Sequence, residues 1–229
     1  PRVAHWYLPA AAATALVVVE HGYTRGCANL RETTRQWMAS GLMALCVDVP
    51  MAGGNPALAE ALARRLAVDT VAPDGRTLPR RIVVAGHSAG AVFALALGAG
   101  LDAIAPGRLA GALLFDPVAT AGFETPLRAV SAAGRRPVLA LLAPPHRCNA
   151  ESNALPALRR AEQEARDAGS RAFVVLRLDE GATHADVEGE DTDALATWAC
   201  GPVQAARTAA LRAMAIDWLR SVTAADGVA

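Results

Sequence analysis

Short apolar runs alternate with amphipathic stretches along almost the whole chain. Residues 3–8, 15–20, 42–48, 81–85, 109–115, 137–143 and 172–178 are brief and rich in Val, Leu, Ile and Ala, and each reads as a strand. Residues 29–40, 56–71, 88–99, 126–133, 154–168 and 203–222 read as helices. Leu58, Leu62 and Leu66 recur near helical spacing, Asn29 is placed to cap the first of these helices, and Gly169 stops the fifth. The alanine run 10–13 reads as a turn between the first two strands. Strands alternating with helices predict an α/β fold, a mostly parallel sheet with helices on both faces. The loops leaving the carboxyl ends of those strands are where a site is expected.

Composition narrows this picture. With 53% hydrophobic and 19% charged residues over 229 positions, the chain is expected to fold as one globular domain, and it shows no repeat or linker. A formal net charge of zero gives no electrostatic case for nucleic acid or an anionic membrane as partner. No apolar run reaches the roughly 18–20 residues of a membrane span. All 22 basic residues are Arg. Without Lys there is neither Schiff-base chemistry nor a Walker-type phosphate loop.

Residues 86–90, Gly-His-Ser-Ala-Gly, lie between an apolar strand and an apolar helix. A serine on so sharp a turn is held in a strained conformation with its hydroxyl exposed above the sheet edge, and the glycines two residues either side leave room for the turn. The helix that follows points free N–H groups and the positive end of its dipole at the same spot. An ordinary glycine-rich turn with a capping serine explains the five letters but not their setting.

A serine hydroxyl needs a base, and the base needs an acid to orient it. Of five histidines, His184 follows the last strand in a Gly-containing loop and is the expected base, with His146 as the alternative; His87 is expected to point away from Ser88. Asp116 ends the strand 109–115 and is the expected acid. Glu151, beyond the next strand, competes with it. The oxyanion hole requires two backbone N–H groups. Ala89 follows the nucleophile, and Tyr23 lies in the loop after the second strand, where its ring offers an apolar wall.

With these residues placed, the chain resembles the α/β-hydrolase superfamily over essentially its whole length: the loop His21-Gly22-Tyr23, the turn at 86–90, and the order Ser, acid, His. Within it the chain is most similar to chlorophyllase-like, dienelactone-hydrolase-like and polyester-hydrolase-like esterases. Residues 114–118, Leu-Phe-Asp-Pro-Val, resemble the Leu-Asp-Pro-Val stretch of chlorophyllases, whose aspartate is the triad acid. Ala89 departs from the chlorophyllase Arg, and the polyester hydrolases' Trp and later acid are not matched. The resemblance implies a serine carboxylic-ester hydrolase of a small-molecule or polymeric ester, without metal or organic cofactor. Acyl transfer or thioester hydrolysis on the same triad, and an inactive hydrolase fold that only binds, are its rivals. About twenty residues between Asp116 and Pro137 allow one helix, so the site is expected to be open and without a cap domain. Residues 53–55 and 144–153 are expected in the pocket walls. The acidic loop 188–191 reads as a solvated loop ahead of a cation site.

Cysteines 27, 46, 148 and 200 show no zinc spacing. Cys46 falls in a core strand and reads as an inert buried thiol. Cys148 and Cys200 both fall in loops near the expected site, as a disulfide or as two unpaired thiols. A disulfide, together with an opening Pro1-Arg2-Val3-Ala4 that has no signal-peptide anatomy and fits either a processed chain or Met removal, tilts the expected compartment toward secreted or periplasmic.

Overall fold

Seven strands form one sheet in this computed structural model, which describes residues 3–49 and 55–224. They are β1 (Ala4–Tyr7), β2 (Leu16–Glu20), β3 (Met43–Val47), β4 (Ile82–His87), β5 (Leu109–Phe115), β6 (Val138–Leu142) and β7 (Phe173–Arg177). Their order is β1-β3-β2-β4-β5-β6-β7. β1 runs antiparallel to β3 and every other pairing is parallel. Parallel neighbours need long crossovers, which here contain the helices α1 (Arg31–Ala39), α2 (Pro56–Val68), α3 (Gly90–Ile104), α4 (Glu124–Ser131) and α5 (Leu155–Asp167), while α6 (Ala194–Cys200) and α7 (Ala205–Thr223) follow β7.

The apolar runs are continuous because both faces of the sheet are covered. Leu16 and Val18 of β2 pack to one side with Leu45, Ile82 and Val84, under α2, α3, α4 and α5. Val17 and Val19 pack to the other side with Ala44, Val83 and Ala85, under α1 and α7. On that second face Trp37 of α1 stacks on Phe115 of β5, with ring centroids 6.3 Å apart.

The strand order reverses between β2 and β4, since the chain goes from β2 outward to β3 and then returns to lay β4 on β2's other side. The loops after β2 and β4 therefore leave the sheet side by side at a switch point, which is where a crevice opens in such sheets. Between β5 and β6 stands the single short helix α4, and no cap is inserted there.

Several expectations shift. The first predicted helix opens as a 3-10 turn, Cys27–Leu30, before α1. Asn29 does not cap α1: its Oδ1 accepts from Gly26 N–H at 3.0 Å, and its Nδ2 donates to the Asp191 carbonyl at 3.0 Å. The cap comes from far along the chain, where Asp191 Oδ2 accepts from Glu32 N–H at 2.6 Å. The helix expected over 56–71 stops at Val68, and β4 extends to His87, so that the strand runs into the turn at Ser88. α6 escaped the periodicity because it buries none of its residues. Cys46 is not a free thiol: it is bonded to Cys27, across a Cα–Cα distance of 5.8 Å. Gly53 and Gly54 lie outside the described residues, and Asn55 serves α2, its side chain accepting from Leu58 N–H.

Candidate active site

Ser88 sits between β4 and α3 at φ 57°, the left-handed region. A non-glycine residue held there costs on the order of 1–3 kcal/mol and persists only where its surroundings impose it. Here Ser88 N–H donates to the Phe115 carbonyl at 3.0 Å, and the Ser88 carbonyl accepts from Val118 at 3.1 Å and Ala91 at 3.2 Å. The two flanking glycines act by size. Neither has a positive φ. A Cβ on Gly90 would stand 2.3 Å from the His21 carbonyl oxygen, and one on Gly86 would stand 2.6 Å from the Ala91 backbone. The glycines thus let α3 press against the ends of β2 and β4. At Ala89 the start of α3 has no side-chain cap.

Asp116, at the end of β5, is also left-handed, at φ 40°. Its N–H donates to the Leu141 carbonyl at 2.7 Å. Its Oδ2 lies 2.6 Å from His184 Nδ1. An ionised carboxylate only accepts, so Nδ1 carries the proton and Nε2 keeps its lone pair. The carboxylate is held by Ala143 N–H at 3.1 Å and by Asn149 Nδ2, which lies 3.2 Å and 3.0 Å from its two oxygens. Asn149 is fully buried, and its own Oδ1 accepts from His146 and Ser152 N–H groups. Asn149 was not found from sequence; its position in the irregular turn after β6, amid His146, Arg147 and Cys148, gave no periodic signal.

Glu151 and His146 are not brought to this cluster. Both are exposed on the turn after β6, and His146 Nδ1 accepts from Cys148 N–H at 3.2 Å.

His87 departs from expectation. It lines the same pocket as Ser88 and His184. Its ring lies 4.6 Å from the His184 ring, and its Nε2 donates to the His184 carbonyl at 2.8 Å. Burial holds its pKa well below the usual histidine value, with the nearby His184 acting in the same direction. It is therefore a neutral prop under the His184 loop.

The loop after β2 is fixed by another neutral histidine. His21 Nε2 accepts from Val49 N–H at 3.2 Å, so Nδ1 carries the proton and donates to the Gly22 carbonyl at 3.0 Å. Arg25 N–H reaches the same carbonyl at 3.2 Å. In a trans peptide the carbonyl and the following N–H point opposite ways, so anchoring the Gly22 carbonyl turns the Tyr23 N–H to the other side. Gly22 itself borders Ser88, since a Cβ there would be 3.0 Å from the Ser88 Cβ. Burial lowers the His21 pKa.

Arg25 ties this loop to the His184 loop. Its guanidinium holds both carboxylate oxygens of Glu188, with Nε to Oε1 at 2.8 Å, and reaches Asp193 at 2.6 Å. Burial opposes the Arg25 charge, but hydrogen bonds and charge from Glu188, then Asp193, outweigh it and raise its pKa. Burial pushes the Glu188 carboxyl up, against Arg25. Asp193 also caps α6, accepting from Ala196 N–H at 2.8 Å. The far end of α6 is bonded to the turn after β6 through Cys148–Cys200.

These parts enclose a pocket of about 340 Å³, lined by Tyr23, Arg25, Ser88, His184 and Glu188. Leu195, Ala196 and Ala199 of α6 and the Cys148–Cys200 bridge complete its wall. The volume is near the low end, about 300 Å³, of small-molecule sites. A hollow of about 680 Å³ beside Leu109, Pro137 and Ser221 is larger, but it contains none of these side chains. Among the described residues, the atoms of His5, Cys27 and Asp48 cluster closely enough to suggest a metal, but the Cys27 sulfur is bound to Cys46 and His5 is bonded to Asp48 at 2.7 Å. Among the described residues no helix is long and apolar enough to cross a membrane.

No protein-family profile matches the chain, and no curated protein matches it in sequence. Solved structures do. A thermophilic esterase from the planctomycete Thermogutta terrifontis is 18% identical, with 99% of this chain and 90% of that one covered and a TM-score of 0.58. That esterase with propionate bound is similar at a TM-score of 0.51 over 78% of this chain and 79% of its own, at 18% identity. A dienelactone hydrolase from Anabaena variabilis is 16% identical over 96% of this chain and 91% of its own, with a TM-score of 0.59. The sheet order, the strand-turn-helix at Ser88 and these likenesses together identify the architecture as the α/β-hydrolase fold.

Proposed function

We propose that this protein is a serine carboxylic-ester hydrolase. The observation that carries the reading is the 2.6 Å contact of Asp116 with His184 Nδ1 in a pocket shared with Ser88. That contact fixes the tautomer in which Nε2 can accept a proton. In the proposed cycle Ser88 Oγ attacks the ester carbonyl while His184 Nε2 takes its proton. The charge that develops on the carbonyl oxygen is met by the N–H groups of Tyr23 and Ala89, the second at the start of α3 where the dipole adds to it. His184 then returns the proton to the departing alkoxide, leaving an acyl-Ser88. Water, deprotonated by His184, attacks the acyl carbon; the acid is released and Ser88 regains its proton. Asp116 orients the imidazole and stabilises its charged form throughout.

The uncapped crevice favours substrates that reach the serine directly from solvent. The likeness to an esterase found with propionate agrees with a compact acyl group. The deciding experiment is p-nitrophenyl ester hydrolysis, with fluorophosphonate labelling, by the wild type and Ser88→Ala. Turnover and labelling that both vanish in Ser88→Ala are expected. Undiminished turnover in that variant, or a wild type that neither cleaves an ester nor takes the label, would overturn the reading.

A further inference from the structure

The charges around the pocket suggest which esters it accepts. Among the described residues, the side chains with fixed charge in its lining are Arg25 and Glu188. Arg25 makes three hydrogen bonds through its guanidinium, all of them to acids. Its Nε and one terminal nitrogen hold Glu188, and its other terminal nitrogen holds Asp193. A carboxylate entering with a substrate would meet a guanidinium whose donors already face two acids. One positive and two negative charges also leave this cluster at net −1. The next cation along the rim, Arg147, is turned outward. Its guanidinium lies over the exposed Trp198 ring, 5.4 Å from the centroid, and its Nε donates to the Ala199 carbonyl at 3.0 Å. The remaining wall is uncharged: Tyr23, Leu195, Ala196, Ala199 and the Cys148–Cys200 bridge.

We infer that the pocket selects esters whose acyl group is uncharged and apolar, and that the Arg25–Glu188–Asp193 cluster is the specificity determinant that turns away acyl groups bearing a second carboxylate. This rests on the serine-esterase reading and sharpens it. The cluster is built like an anion receptor, an arginine at the rim of a nucleophile's pocket, but its own two acids close it. A fixed negative charge repels an anionic acyl group; water screens the buried Glu188 poorly and the half-exposed Asp193, outside the lining, much better.

The test compares two p-nitrophenyl esters of matched length, the heptanoate and the monoester of adipic acid, in which a carboxylate replaces the terminal ethyl group. For the wild type at low ionic strength, kcat/KM for the heptanoate is expected to exceed that for the adipate at least 100-fold. Asp193→Asn removes one negative charge. Asn is an equally good helix cap, and the Asp193 side chain is 52% exposed, so the fold is expected to survive. In that variant the ratio should fall about threefold. Glu188→Gln removes the other charge and should lower the ratio further if that buried site tolerates it. A wild-type ratio within threefold of one, or a ratio that Asp193→Asn does not change, overturns the inference while leaving the esterase reading intact. Loss of fluorophosphonate labelling and of all ester turnover in the wild type would remove both.

Discussion

The turn that carries Ser88 and the loop that carries His184 border one pocket, but they are held there by different means. The Ser88 turn is assembled from adjacent sequence: a strand, a left-handed serine and a helix, with glycines sized for close approach. The His184 loop has a single 3-10 turn, Gly189–Asp191, as its regular structure and is fastened by distant residues. His87 supports its carbonyl, Arg25 holds Glu188, Arg212 donates to the Glu188 carbonyl at 3.2 Å, and Thr33 donates to the Val187 carbonyl at 2.6 Å. In the proposed mechanism the nucleophile is positioned by local backbone geometry, and the base, which must meet both the nucleophile and an acid, by the whole fold.

Four substitutions and one control test that difference, the largest effect first. Asp116→Asn keeps one oxygen for the Ala143 N–H and puts an amide NH2 donor where Oδ2 accepts from His184 Nδ1, which reverses the His184 tautomer, and kcat for a p-nitrophenyl ester should fall about a thousandfold or more; Glu151→Gln, on the exposed turn, should leave it at the wild-type level. Gly90→Ala strikes the local construction, where the added methyl would lie 2.3 Å from the His21 carbonyl oxygen. Urea unfolding should show a loss of about 3 kcal/mol. A loss below about 1 kcal/mol, the mild end for overpacking, would mean that helix and strand can part freely and that the turn is less tightly built than described. Asn149→Ala strikes the distant construction by stripping Asp116 of a donor and leaving the buried Ser152 N–H and the part-buried His146 N–H without their acceptor. It should cost about 2 kcal/mol and lower kcat more than it raises KM.

The smallest effect concerns acid. His87 and His21 have lowered pKa values in the folded protein, so as pH falls below about 6.5 the unfolded chain takes up protons that the native state refuses. Stability is full above that pH and declines below it. The raised carboxyls of Asp186 and Glu188, each lifted first by burial, act in the opposite sense. His87→Gln isolates one contribution, because Gln retains a donor for the His184 carbonyl. Its unfolding free energy should lose less on acidification than the wild type's, by up to about 1.4 kcal/mol per pH unit. Parallel curves for the two proteins would mean that His87 is not held neutral.

The same contrast explains what could be read from sequence. The strands β2 to β6, buried on both faces, announced themselves as apolar runs, and with the helices between them they gave the order of elements; handedness and crossover rules narrow how such strands can pair. The strand, serine and helix at 82–104 were legible because the turn is written in consecutive residues. Asp116 stood at the end of an apolar run and His184 after the last one. Asn149, His87 and the Arg25–Glu188–Asp193 cluster were not legible, since their meaning lies in partners up to 168 residues away. α6 is a surface helix whose apolar positions face a pocket and solvent, so burial left no stripe in its sequence. The cap of α1 misled for a related reason: Asn29 was the nearest capping residue, but Asp191 arrived from another part of the chain.

That borrowed cap bears on how the molecule is made. Glu32 N–H waits for a carboxylate 159 residues downstream, and the loop bearing that carboxylate is held in turn by Arg212, near the end of the chain. During synthesis the Ser88 turn emerges well before Arg212, and the His184 loop gains its last tie only when α7 has left the ribosome and docked. A chain that stalls before Arg212 would carry the Ser88 turn with a His184 loop tied by His87, Arg25 and Thr33 alone, so a rise of turnover on translating ribosomes would report the docking of α7.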